Sequence, residues 1–74
     1  MVNVDVFGHR LRTVRTKKRW TQAQLAERAH LSAGWVIGRY ELGHDYPRID
    51  TAVNLAHALE VSLDYLCGMK EEMT

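Results

Sequence analysis

Apolar residues recur three and four positions apart along most of this chain, which predicts helices throughout. Helix 1 is expected over residues 6–18, with Phe7, Leu11 and Val14 facing the core and Arg10, Arg12, Lys17 and Arg19 outward. Residues 1–5 read as a loose arm in which Asn3 or Asp5 could serve as N-cap. Helix 2 is expected over residues 21–29. Thr21 and Gln24 have the spacing of a capping box, in which two side chains satisfy orphan backbone N–H groups. Leu25, Ala26 and Ala29 share one face, and the small Ala26 lets another helix approach. Helix 3 is expected over residues 33–42, with Val36, Ile37 and Tyr40 inward and Gly43 as the stop. Helix 4 (residues 49–60) carries the stripe Ile49, Ala52, Val53, Ala56 and Leu59. Helix 5 (residues 63–67) is capped by Ser62 and stopped by Gly68. Residues 69–74 form a short tail to which the pattern assigns no role. The whole is an all-α, compact five-helix domain.

Residues 21–41 organise the chain. Two short helices are joined at His30 and Leu31, with Leu31 as the apolar plug and Ser32 or Ala33 opening the second helix. That arrangement is a helix-turn-helix. In such units the second helix enters the DNA major groove and its outward side chains meet base edges. The outward positions here are Ala33, Gly34, Trp35, Gly38 and Arg39. There is no Asn or Gln for adenine, and Arg39 alone can make the bidentate contact with guanine. Two glycines in a helix cost about 1 kcal/mol each relative to alanine. Three accounts fit so poor a reading face. Trp35 and Ala33 meet thymine methyls while the glycines admit phosphates closely; or sequence choice rests on DNA shape; or the surface binds protein.

Thr21-Gln22 followed by Leu25-Ala26, then Leu31-Ser32, then Ile37-x-Arg39-Tyr40-Glu41-x-Gly43 and Pro47, resembles the Cro and phage-repressor-like (XRE-type) helix-turn-helix family. Val61-Ser62-Leu63-Asp64-Tyr65-Leu66 with Gly68 resembles that family's fifth helix, so the match runs over residues 7–68. The resemblance implies a lambda-repressor-like fold whose helices 2 and 3 form the helix-turn-helix. The function it implies is a transcriptional repressor that binds a palindromic operator on double-stranded DNA as a homodimer. The alternative is a protein-interaction module that keeps the fold and has lost base readout. Arg15 matches a family arginine paired with the glutamate ending helix 3, here Glu41. Gln22 matches a glutamine on the DNA backbone, and His44 and Arg48 lie in a loop the family uses for phosphates, where Asp45 would hold phosphates off. The DNA-facing set is then Thr21, Gln22, Ser32, Ala33, Gly34, Trp35, Gly38, Arg39, His44 and Arg48. Trp20 stands at a usually small position and is expected to cover the bottom of the core. One residue more than the family pattern lies within residues 33–35, and it turns Trp35 either outward or into the core.

Charge sharpens this picture. The net charge of +1 conceals a basic half (seven Lys/Arg against two Asp/Glu in residues 1–30) and an acidic one (three against seven in residues 31–74). Such a split suggests one surface for phosphates and another kept off them, although a solvated helix face fits charge alone equally well. A 46% hydrophobic content excludes a disordered chain. No apolar run reaches the roughly 18 residues of a spanning helix, so no membrane association is expected. The N-terminus is too short in apolar residues for a signal peptide. The single Cys67 excludes an internal disulfide and suits a reducing cytoplasm. His9, His30, His44 and His57 lack ligand spacing, and no nucleophile–base pair or Gly-rich phosphate loop appears. Neither a metal, a cofactor nor an enzyme is expected. Apolar surplus at Leu63, Leu66 and Met69 points to dimerisation through helix 5. With no sensor segment in the 74 residues, control is expected from the chain's own concentration or a regulatory protein partner. Phage or plasmid switch, antitoxin and restriction controller all remain open.

Overall fold

The computed structural model describes residues 4–74. Its elements are α1 (Val4–Lys17), α2 (Gln22–Arg28), α3 (Gly34–Glu41), α4 (Ile49–Leu59) and α5 (Leu63–Leu66). The suggested cap Asn3 lies outside the described residues. Val4 and Asp5 are already helical rather than part of an arm, and Asp5 sits in the first turn, where its carboxylate faces the positive end of the helix dipole.

Caps decide the ends of α2 and α5. Thr21 Oγ1 accepts from Gln24 N at 3.0 Å while Thr21 N donates to Gln24 Oε1 at 2.8 Å, closing the capping box. Ser62 Oγ accepts from Tyr65 N at 3.0 Å. The chain leaves α1, α2 and α4 through residues in the left-handed region, Arg19 (φ 61°), His30 (φ 62°) and Glu60 (φ 59°), each of which turns the chain back toward the core. Such a conformation costs a residue bearing a Cβ roughly 1–2 kcal/mol.

Phe7, Leu11, Leu25, Ala29, Ile37, Leu55 and Leu66 are fully buried and form the centre of the core. α1 crosses α3 with its backbone almost touching: a Cβ built on Gly8 would lie 2.4 Å from Tyr40 O. The α4 stripe differs from expectation. Its buried residues are Ala52, Leu55, Ala56 and Leu59, while Ile49 is 72% exposed and Val53 half-buried. At 100° per residue Ile49 and Val53 stand about 70° and 110° from the centre of that arc, so both fall at its edge.

Two further expectations are corrected at the α5 end. Of the expected dimer residues, Leu66 is fully buried in the core and so is not available to a partner, while Leu63 is half-buried and Met69 exposed. A four-residue helix has little surface, and its apolar side is consumed by the core. Arg10 is not outward. Its Nη1 donates to Tyr65 O and Lys70 O, both at 2.7 Å, and the guanidinium lies 4.3 Å over the Tyr65 ring. Tyr65 O also accepts from Gly68 N at 3.1 Å, so Arg10 adds a tie from α1 to the end of α5 and to the segment after it. The tail is thereby fastened: Met73 packs against the core and its carbonyl accepts from Ser62 N at 2.6 Å. Trp20 covers an edge of the core, with Arg28 4.4 Å and Lys18 5.3 Å from its ring centroid.

Candidate nucleic-acid interface

α3 is seated on α2 and α1 before any of its outward side chains come into play. A Cβ on Gly34 would lie 2.8 Å from Ala23 N and 2.9 Å from Ala23 Cα. Gly34 is therefore not an outward position; it is the place where the start of α3 rests on the start of α2. Gly38 faces the Gln22 side chain, and a Cβ there would lie 3.2 Å from Gln22 Oε1. The turn between the two helices takes residues 29–33, with Leu31 packed against the core, and α3 follows as eight regular helical residues.

The far end of α3 is fixed by charge. Arg15 Nε lies 2.5 Å from Glu41 Oε2 and Nη2 3.1 Å from Oε1, with the side chains 12% and 4% exposed. Arg15 Nη1 also donates to Trp20 O at 2.8 Å, and Gln22 Nε2 donates to Glu41 Oε1 at 3.2 Å. One carboxylate on α3 thus ties α1 and α2 together. Removing one partner of such a pair strands a buried charge and costs about 3–5 kcal/mol.

Above this hub lies an open groove of about 430 Å³, lined by Arg12, Trp35, Gly38, Arg39, Leu42 and His44, with Gln22, Arg15 and Glu41 at its base. Trp35 is 66% exposed, so it faces outward and not into the core. Arg12 makes no ion pair among the described residues. Arg39 does: its Nε lies 2.5 Å from Asp45 Oδ2 and its Nη2 3.4 Å from Oδ1, both side chains being half-exposed. The hydrogen bond from Arg39 holds the Asp45 carboxyl below the usual carboxylate range, and Asp45 in turn raises Arg39. The Asp45 charge expected to repel phosphates is therefore engaged by Arg39. Next to it, Tyr46 stands edge-on to Phe7 at 5.1 Å, and its hydroxyl is 3.4 Å from Cys67 Sγ. Burial, then that contact and the thiol's charge, push the Tyr46 phenol up to about 12.

The groove brings Gln22, Trp35, Gly38, Arg39 and His44 together; Thr21, Ser32, Ala33, Gly34 and Arg48 do not line it. Thr21, Ser32 and Arg48 are exposed, and Ala33 is the half-buried N-cap of α3. Arg12 and Leu42 were missed by the sequence reading. Both had a signal: Arg12 precedes Arg15 by three residues, and Leu42 follows Trp35 by seven, the spacing of one helix face. Among the described residues no cluster of His, Cys, Asp and Glu could hold a metal ion, and no helix is long and apolar enough to cross a membrane.

Comparison with known proteins gives a consistent answer. A helix-turn-helix family matches residues 11–66. The P22 c2 repressor, solved in complex with a synthetic operator, superposes with a TM-score of 0.82 at 28% identity, over 86% of this chain and 96% of that one. The restriction-modification controller protein C.AhdI from Aeromonas hydrophila superposes with a TM-score of 0.79 at 32% identity, over 85% and 94%. The cryptic phage CTXphi transcriptional repressor RstR of Vibrio cholerae is 42% identical over 48 residues, which is 65% of this chain and 42% of that protein. The chain spans about half the length of the curated relatives it matches, 52% of one and 42% of RstR.

Proposed function

The chain belongs to the Cro and phage-repressor-like helix-turn-helix family, and on that premise we propose that it is a transcriptional repressor that binds a palindromic operator as a homodimer. The observation that carries this reading is the outer face of α3. Trp35 and Arg39 stand exposed beside Arg12, over a hub that fixes the helix from beneath. Arg39 reads a base, and Trp35 offers an apolar surface to thymine methyls. Arg12, Arg48, Thr21 and the second amide N–H of Gln22 meet phosphates on either side. His44 closes the groove next to them. Gly34 serves helix packing and not the approach of phosphates.

The homodimer would place two α3 helices about one turn of DNA apart, roughly 34 Å. Met69 is the exposed apolar residue at the α5 end on which pairing would centre. Sedimentation of the parent against Met69→Lys tests this, with monomer and weaker operator binding expected of the variant.

The DNA reading is tested by anisotropy titrations on duplexes from upstream of the chain's own gene and on random genomic fragments, at roughly 50 and 200 mM salt. With about six or more phosphate contacts, affinity should fall by about a thousandfold between the two conditions. Each substitution is present twice in the dimer, so Arg12→Ala and Arg48→Ala should each flatten the salt slope by about two and leave sequence preference intact. No binding to any duplex at the lower salt refutes the reading. A second reading, a protein-interaction module, is favoured by one observation: Leu42, 69% exposed, extends the apolar surface of Trp35 along the groove. Binding to a protein through that surface would depend weakly on salt.

A further inference from the structure

We propose that Asp45 is a specificity-determining residue, which grips Arg39 along its Nε edge so that the opposite edge of the guanidinium is presented to a guanine. This rests on the DNA-binding reading above and deepens it.

A guanidinium has five N–H donors in a planar fork. Asp45 takes the one on Nε, at 2.5 Å, and one on Nη2, at 3.4 Å. That leaves both N–H groups of Nη1 and the second of Nη2. One from each nitrogen points away from Asp45 in parallel, the geometry that matches guanine O6 and N7. The grip therefore does not compete with the base; it uses the other edge. Both side chains are 47% exposed and Arg39 lines the groove, so the pair stands at the surface where a base would come.

Two consequences follow from the grip. An unattached surface arginine samples many rotamers and must give up that freedom on binding, whereas Arg39 is already held in one orientation. The carboxylate also offsets Arg39's charge, which lowers its attraction to the nearest phosphate relative to a hydrogen-bonding base edge. Arg12 on the neighbouring helix, without an ion pair among the described residues, has neither constraint and remains a phosphate ligand. Two arginines of one groove are thus given different tasks by a single acidic residue.

The test is selection from a duplex library with about 20 randomised base pairs, two half-sites one helical turn apart, using the parent, Asp45→Ala, Arg39→Ala and the double variant. Thermal melts confirm that each is folded. The parent should enrich a guanine in each half-site that Arg39→Ala no longer selects. Asp45→Ala should bind the pooled library as tightly as the parent or more so, while its preference for that guanine falls roughly tenfold, within the range one bidentate contact supplies. In the Arg39→Ala background, Asp45→Ala should leave discrimination unchanged. An undiminished guanine preference in Asp45→Ala overturns the proposal and leaves the DNA reading standing. So does a parent site lacking any guanine lost in Arg39→Ala. Failure of the parent to bind the library at all overturns both.

Discussion

Gly8→Ala sets two effects of opposite sign against each other. Replacing glycine by alanine inside a helix stabilises it by about 0.5–1 kcal/mol. Against this stands the approach of α1 to α3. The new methyl would lie 2.4 Å from Tyr40 O and 2.7 Å from Glu41 O, where ordinary contact begins near 3.4 Å. The obstructing atoms are backbone carbonyls, which cannot swing aside, so the two helices must separate by nearly 1 Å. Overpacking of this kind costs about 1–3 kcal/mol, and the depth of the clash places Gly8 at the upper end. The separation also draws Glu41 away from Arg15. The expected net loss is about 2 kcal/mol, or roughly 8–16 °C in Tm for a domain of this size. Gly38→Ala is the matched control. Its methyl would meet only the end of the Gln22 side chain, at 3.2 Å, and the helix gains propensity, so stability should change by less than about 1 kcal/mol. Thermal melts followed by circular dichroism, with urea titrations, report both. If Gly8→Ala melts at or above the parent, the close approach of α1 and α3 is wrong.

Other perturbations probe separate parts of the structure. Glu41→Leu should cost about 3–5 kcal/mol by stranding Arg15, whereas the pair Arg15→Met with Glu41→Leu should recover most of that in urea titrations. His30→Gly removes the strain of a Cβ at φ 62° and should raise stability by about 1 kcal/mol, measured as a higher Tm. The Tyr46 phenol is raised to about 12 by burial and Cys67, against about 10 in the unfolded chain. The folded state therefore favours the neutral phenol. That stability is fully present below about pH 10 and is lost as pH rises from there through about 12. Tyr46→Phe should flatten the decline in urea midpoint over that window, and an unchanged decline would refute the assignment.

Local rules made much of the fold legible. Thr21 with Gln24, Ser62 and Gly68 are signals carried by neighbours in sequence, and they place the ends of α2 and α5 within a residue or two. The Arg15–Glu41 pair, inferred from the resemblance, is formed. What was illegible depends on partners far along the chain. Arg10 looks like any helix-surface arginine until Tyr65 and Lys70, 55 and 60 residues away, bring their carbonyls to it. Gly34 reads as a weak point in α3 because nothing in its neighbourhood announces the backbone of Ala23. Ile49 and Leu55 exchange places because periodicity fixes the width of a stripe better than its centre. In the site, Arg39 and Asp45 were both singled out, one for bases and one against phosphates. Their six-residue separation spans a helix end and a turn, and only the folded loop makes them a pair.

The α3 segment interleaves two kinds of position. Gly34, Ile37 and Glu41 answer to the other helices, and Trp35 and Arg39 answer to whatever lies outside. Asp45, the partner of Arg39, sits on the same short stretch of chain. Sequence drift can therefore rewrite the outward alphabet without disturbing the inward one. A transplant of residues 34–45 would need a scaffold that offers Gly34 a close backbone and Glu41 an arginine, the places held here by Ala23 and Arg15.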